Sequence, residues 1–440
     1  MRKYLMSKKR VQNPFNAPSL EVADIFAEFG DDYKKKYKLS PEQSKVFYDI
    51  THCRDGRFGY RLDKCNHCSE TIILNNSWKN RHCPKCNGVA RRKWVNNRLK
   101  DLLPTPYYHV VFTLPRQILE LAPLNHEILY NALFKASSET ITNFAANPKW
   151  LGGQLGFYGV LHTWGGQLWQ HFHIHYIVPS GGLDENGQWV EAKYKRKFLF
   201  PVKAMSVPFR QKFIEALVLE LKKGNLTLPD NLKQFSNPDE FQKWIHHSYP
   251  PRWVIFAKSP FAGPEKVLKY IGMYSHRVAI SNYRIIGLIN GRVHFKYKYN
   301  DKKTKATLWT ETNLEPVEFI RRFLLHVVPK NYHRIRHFGL FSNGKCQQNI
   351  DKIRLLLADR IKDKSLQKED LFDIGRLCPV CNIGHLEHVF IALPHKTIWF
   401  STLEKHNLKA LYDSAWPFSL LDIYWQIVNG KIKVLNCLQI

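Results

Sequence analysis

Three histidines alternate with bulky apolar residues in the run Gln170-His171-Phe172-His173-Ile174-His175-Tyr176-Ile177-Val178. Alternation at period two is the mark of a β-strand, so His171, His173 and His175 would share one face and Phe172, Ile174 and Tyr176 the other. Neutral imidazole is a common metal ligand, and side chains two apart on a strand can converge on one ion. A solvated polar face on an edge strand would read the same way in isolation. A second constellation is Tyr270 and Tyr274, in the helical pattern that opens at Gly263-Pro264. Four residues apart on a helix, their hydroxyls fall on one face. Taken alone, a tyrosine pair at this spacing is usually core or surface stacking.

The cysteines form a third constellation. Cys65-Asn-His-Cys68 and Cys83-Pro-Lys-Cys86 are two Cys-x-x-Cys pairs fourteen residues apart, near the spacing of a two-knuckle zinc site. The expectation is that all four thiolates meet one structural Zn²⁺, with Cys53 and His82 as candidate substitutes or second-site ligands, although a buried, unligated Cys53 is the simpler reading. Cys378-Pro-Val-Cys381 could be half of another site, completed by Cys346 or Cys437. Basic residues crowd the second knuckle, among them Lys79, Arg81, Lys85, Arg91, Arg92 and Lys93. A zinc module edged in this way suits phosphates.

The whole chain carries the same message in its charge. Its 440 residues hold 66 Lys and Arg against 37 Asp and Glu, a formal +29, which points to a polyanion and most simply to nucleic acid. The first hundred residues hold 22 basic and 10 acidic side chains, more than their share. The start of the chain is basic without the apolar run of a secretory signal, and nothing approaches twenty apolar residues in a row. Metal thiolates in a cytoplasmic, DNA-associated protein with no membrane role are the expectation.

These groups need elements to hold them. Helices are expected around Leu20–Phe29 and after Ser40-Pro41, where serine is the N-cap and proline the first helical residue. Tyr108–Leu114, Gln154–Thr163 and the histidine run read as strands, the last two as a hairpin, with a long helix over Asn125–Ala146. Val207–Lys223 reads as a helix, Gly224–Asn237 as an insertion or surface loop, and Trp253–Ala257 as a strand ending at Lys258. Arg292–Tyr299 alternates strictly, with Arg292, His294, Lys296 and Lys298 on one face and Val293, Phe295, Tyr297 and Tyr299 on the other. The cationic face would suit a phosphate backbone. The order implies an α+β fold with helices on one face of an antiparallel sheet. It divides into a basic arm and zinc module (1–100), a central α+β domain (101–340) and a C-terminal region with a possible second metal knuckle (341–440).

Together, Asn80–Cys86, Leu161-His-Thr-Trp-Gly165, His171–His175, Tyr270–Asn282 and His333–Leu340 resemble a known family. It is the two-tyrosine transposases of the HUH superfamily, of the insertion-sequence-ninety-one rolling-circle type. The resemblance implies an N-terminal zinc-binding domain and a catalytic domain with an RRM-like sheet. It implies a divalent metal, Mg²⁺ or Mn²⁺, on His173 and His175, with His171, His162 or Gln170 as third ligand. It also implies that Tyr270 and Tyr274 form 5′-phosphotyrosine intermediates with single-stranded DNA at the element ends and the target site. Arg81, Lys85, Arg91, Arg92, Lys258, Arg277, Lys296 and Lys298 are the expected DNA contacts. A replication initiator or relaxase shares the metal motif, but the chain has no helicase P-loop. A non-catalytic zinc-dependent nucleic-acid binder would leave the histidine strand and the tyrosine pair unexplained.

Overall fold

The computed structural model describes residues 20–86, 94–95, 97–98, 101–194, 199–249, 251–258, 278–301, 306–342, 344–358, 376–393, 396–399 and 433–434. The chain forms two compact units, neither continuous in sequence. The first comprises Met1–Val89, Ile280–Arg321 and Phe372–Ile440; the second comprises Ala90–Ala279 and Arg322–Leu371. The division differs from contiguous domains at 1–100, 101–340 and 341–440, because strands distant in sequence complete the first unit. Among the described residues no helix is long and apolar enough to cross a membrane.

In the first unit, α1 (Val22–Lys36) runs past the expected end at Phe29. Lys34, Lys35 and Lys36 occupy its last turn, where the helix dipole favours cations. Helix α2 (Pro41–Thr51) begins as its sequence requires. The Ser40 hydroxyl accepts from the Gln43 N–H, and the Gln43 side chain accepts from the Ser40 N–H. The helices meet through Phe26 and Phe47, with ring centroids 5.0 Å apart. Gly30 makes room, since a Cβ there would lie inside the contact radius of the Phe47 ring. Strand β1 (Tyr60–Cys65) pairs antiparallel with β2 (Thr71–Asn75) on one side and with β14 (His385–Leu393) on the other. A separate antiparallel sheet is built from β9 (Ile285–Ile289), β10 (Arg292–Asn300) and β11 (Thr307–Leu314).

The second unit is organised on a five-stranded antiparallel sheet in the order β12-β4-β5-β3-β8. Its strands are β3 (Tyr107–Thr113), β4 (Gly156–Trp164), β5 (Gln170–Pro179), β8 (Ile255–Lys258) and β12 (Ile335–Gly339). Phe172, Ile174, Tyr176 and Val178 project from β5 into the main core. There they meet residues of α3 (Ala122–Ala146) and α4 (Val202–Lys222), with α5 (Pro238–Ser248) beyond. Tyr176 is fully buried, and its hydroxyl lies 2.7 Å from that of Ser137 on α3. On the opposite face, Tyr107, Tyr158 and Ile177 pack against Ile350 and Ile353 of α7 (Cys346–Leu356). By the alternation, His173 and His175 continue that face along β5, next to Ile177.

Two local expectations change. Helix α4 starts five residues before Val207, so Pro208 lies inside it and forfeits one backbone hydrogen bond. The stretch 224–237 is no surface loop: Leu226, Leu228 and Leu232 are buried in the core. Asn125 ties this stretch down, accepting from the Thr227 N–H at 2.9 Å and donating to the Thr227 carbonyl at 2.7 Å. Its leucines stand two and four apart amid polar residues, and short mixed runs of that kind give no clear period.

Gly159 on β4 lies opposite Tyr176, and a Cβ there would stand 2.5 Å from the Tyr176 ring. That ring is wedged between Phe112 and Phe157 and held by Ser137, so it cannot yield. Gly159→Ala should destabilise this unit by about 1–3 kcal/mol, read as a lower thermal midpoint. An unchanged midpoint would show that the core repacks freely.

Candidate metal centres

His162 on β4 stands directly across from His173 on β5, so their side chains leave the sheet on the same face. His175 follows two residues along. The ligand nitrogens of His162, His173 and His175 all lie within 4.8 Å of one another. Ligand atoms bound to one ion at ~2.1 Å are separated by no more than about 4.2 Å, so small ring rotations would close the site.

The ring nitrogens are also sorted for binding. Nδ1 of His173 donates to the His171 carbonyl at 2.8 Å, which leaves the Nε2 lone pair for an ion. Nδ1 of His175 lies 2.8 Å from Nε2 of His109, a buried residue on β3. With Nδ1 of His175 as donor in that bond, its Nε2 too presents a lone pair. The donor set therefore fits a divalent cation, with His109 orienting one ligand from behind.

Among the three candidates for a third ligand, the structure brings His162, and not His171 or Gln170, into the cluster with His173 and His175. His171 is exposed and contributes its backbone carbonyl to holding His173. Gln170 lies on the other side of the strand and turns its amide to His126 at 3.1 Å. His162 carries a weak signal of its own, since its strand reads as polar only at that residue and at Thr163. His109 shows none, being a lone histidine in an apolar strand. Among the described residues no carboxylate joins the cluster.

The cysteines divide differently from the expectation. Cys65 and Cys68 converge with Cys378 and Cys381, while Cys83 and Cys86 converge with Cys53. The fourteen-residue spacer is the cause, because it contains β2, which folds back along β1 and carries the second knuckle away from the first. Strand β14 pairs with the opposite edge of β1, with Cys65 level with Leu386, and this delivers the late knuckle to the early one. Asn66 locks the junction: its N–H donates to the His385 carbonyl at 3.0 Å, and its side-chain oxygen accepts from the His385 N–H at 2.8 Å. Cys346, proposed as a partner for Cys378, belongs to the second unit and takes no part.

In the four-thiol group, Sγ of Cys65 is 3.7 Å from that of Cys381, and Sγ of Cys68 is 3.7 Å from that of Cys378. Backbone N–H groups of His67 and Cys68 point at the Cys65 sulfur, and that of Gly384 at the Cys381 sulfur, each at 3.4 Å. The Gly384 and Ile383 N–H groups bring the Cys381 thiol down to about 6, which favours the thiolate that a metal requires. Only glycine fits at 384, because a Cβ would stand 2.6 Å from the Cys65 sulfur. In the three-thiol group, Sγ of Cys53 and Cys86 are 3.3 Å apart, and His82 does not join them. The neighbouring thiols of Cys53 and Cys83 hold Cys86 below the ordinary range. Both groups have the chemistry of soft, thiolate-rich zinc sites.

The remaining expected residues are scattered. Lys85 forms an ion pair with Glu21 at 2.6 Å and is only 14 % exposed, so it serves the fold more than a phosphate. Arg81 is half-buried, whereas Lys296 and Lys298 are exposed on β10. Tyr270, Tyr274, Arg91, Arg92 and Arg277 lie outside the described residues, as does the side chain of Lys258.

Comparison with known proteins places this geometry in context. A family model described as "Putative transposase" matches residues 156–349, and one described as "Transposase zinc-binding domain" matches residues 25–114. The chain is 39% identical over 381 residues to "Putative transposase y4qJ" of Sinorhizobium fredii, covering 83% of this chain and 94% of that protein. It is 29% identical over 309 residues to "Transposase for insertion sequence element IS801" of Pseudomonas savastanoi pv. phaseolicola, covering 68% and 70% respectively. No solved structure matches.

Two expectations follow from the metal geometry. Elemental analysis should find about two zinc ions per chain, with Cys378→Ser and Cys83→Ser each removing a different one. Loss of both ions from either variant would show one shared site. Mn²⁺ binding followed by electron paramagnetic resonance should be lost in His162→Ala as in His175→Ala, and retained in His171→Ala.

Proposed function

The chain belongs to the IS91-type transposases with an N-terminal zinc-binding domain, and on that premise we propose that it nicks and rejoins single-stranded DNA at its element ends by rolling-circle transposition. The observation that carries this reading is the meeting of His162, His173 and His175 on adjacent strands. Three neutral imidazoles on a rigid sheet are the equipment of a metal-assisted phosphoryl transfer, and a merely structural DNA binder has no use for them.

A tyrosine hydroxyl has a pKa near ~10 and attacks poorly at neutral pH. His162, His173 and His175 would hold a divalent cation, which would supply positive charge to polarise the scissile phosphate and offset the charge developing in the transition state. The all-nitrogen donor set favours Mn²⁺ over Mg²⁺, which prefers oxygen. His162 and His173 face each other across the β4–β5 ladder, and the His171 carbonyl and His109 hold the His173 and His175 rings, so only small rotations separate the cluster from a closed site. Tyr270 or Tyr274 is the nucleophile in this reading. Its oxygen bonds to phosphorus as the 3′ oxygen departs, and the phenol loses its proton while the leaving oxygen gains one. The 5′-phosphotyrosine keeps the energy of the broken ester, so a 3′ hydroxyl can reverse the step and join a new strand without ATP. Two tyrosines allow two strands to be held in turn. The zinc centres hold the basic first unit together as the DNA-binding part.

The test is a labelled single-stranded oligonucleotide carrying an element end, incubated with Mn²⁺ and boiled in detergent. A covalent adduct should form on Tyr270 or Tyr274, located by mass spectrometry, and disappear in the double phenylalanine variant. An adduct on any other tyrosine would refute the assignment, and the absence of adduct under all divalent ions would refute the mechanism.

A further inference from the structure

The three-stranded sheet β9–β11 is covered on one face around Val293 and Phe295, though Leu288, Tyr299 and Leu308 further along that face are exposed, and is bare on the other. Val293 and Phe295 are fully buried, and the Phe295 ring lies 5.9 Å from Phe319 of helix α6 (Pro316–Leu324). Directly paired residues of an antiparallel ladder share a face. Across β10 and β11, Lys298 is level with Trp309, Lys296 with Glu311, and His294 with Asn313. Across β9 and β10, Gly287 is level with His294 and Ile289 with Arg292. The bare face therefore carries His294, Lys296, Lys298, Trp309, Glu311 and Ile289. Trp309 is 56% exposed and Ile289 is 45% exposed, and a Cβ on Gly287 would meet nothing within 4 Å.

We propose that this face is a stacking platform for single-stranded DNA, with Trp309 under a base and Lys296 and Lys298 on successive phosphates. The proposal rests on the reading of the substrate as single-stranded DNA and names where, away from the histidine cluster, the strand is gripped. Lys298 Nζ lies over one face of the Trp309 ring, 4.9 Å from its centroid, so a base stacks on the ring's other face or by displacing the ammonium toward a phosphate. Lys296 and Lys298 are two residues apart, or about 7 Å along the strand, comparable to the phosphate spacing of an extended single strand. Among the described residues, neither ammonium has a carboxylate within ion-pair distance, even though Glu311 sits across from Lys296. A base can stack on the ring only when it is out of the duplex, which selects single strands. A protein partner is disfavoured, since lysine is depleted from the cores of protein interfaces.

Fluorescence anisotropy of labelled oligo(dT), with the full-length protein and no added divalent cation, isolates binding from cleavage. Trp309→Ala should weaken binding about tenfold, with Trp309→Phe restoring most of it. The Lys296→Ala/Lys298→Ala pair should reduce the slope of log affinity against log salt by about 1.4. Glu311→Gln should tighten binding, a gain that loss of structure could not produce. Zinc content and circular dichroism should match the parent throughout. Unchanged affinity in Trp309→Ala, or an equal loss toward a blunt duplex of the same length, would overturn the platform. The nicking reading fails separately, if the parent binds oligo(dT) and forms no adduct with an element end.

Discussion

Strand β5 is paired along its length to β4 and β3, and this double ladder is the constraint on which the histidine cluster depends. A central strand has no freedom to slip, because a shift of one residue would move every side chain to the other face. Slipping would place Phe172, Ile174 and Tyr176 in water and His173 and His175 in the core. The energetic penalty for exposing three large apolar groups is therefore what keeps the histidines aimed outward. The Tyr176 hydroxyl, bonded to Ser137, fixes the register a second time from the helix side.

The same economy governs the ring nitrogens. A histidine that is free to rotate presents either nitrogen to an ion and loses entropy on binding. Here the His171 carbonyl and the buried His109 each engage an Nδ1, so the site is set by hydrogen bonds that the sheet geometry makes available. The His109 contribution depends on a diagonal neighbour on β3, one strand removed from the His162 partnership on β4. Three adjacent strands thus share in one cluster.

In the first unit, metal thiolate chemistry does work that a small apolar core could not do alone. Cys65 and Cys378 lie more than three hundred residues apart, and closing so large a loop costs conformational entropy. The strand pairing of β1 with β14 and the four-thiol group offset that cost together, since each brings the partners of the other into place. This is why the C-terminal cysteines belong to the N-terminal unit.

Local pattern alone determined a good deal of this protein. The alternation of Gln170–Val178 and Arg292–Tyr299, the capping residues at Ser40-Pro41, and the excess of basic residues rest on contacts within a few positions of the chain. The antiparallel α+β class and the transposase family also follow from motifs in the sequence. What only the tertiary structure decided are the partnerships between distant residues. His162 became the third member of the histidine cluster through the register of β4 against β5, and His109 entered through the register of β3. The knuckles exchanged partners because β2 turned one pair away while β14 brought another. Spacing along a chain reports which residues can be near each other locally. Which strand edge meets which is set by the burial of whole faces, and that is a property of the fold and not of any one segment.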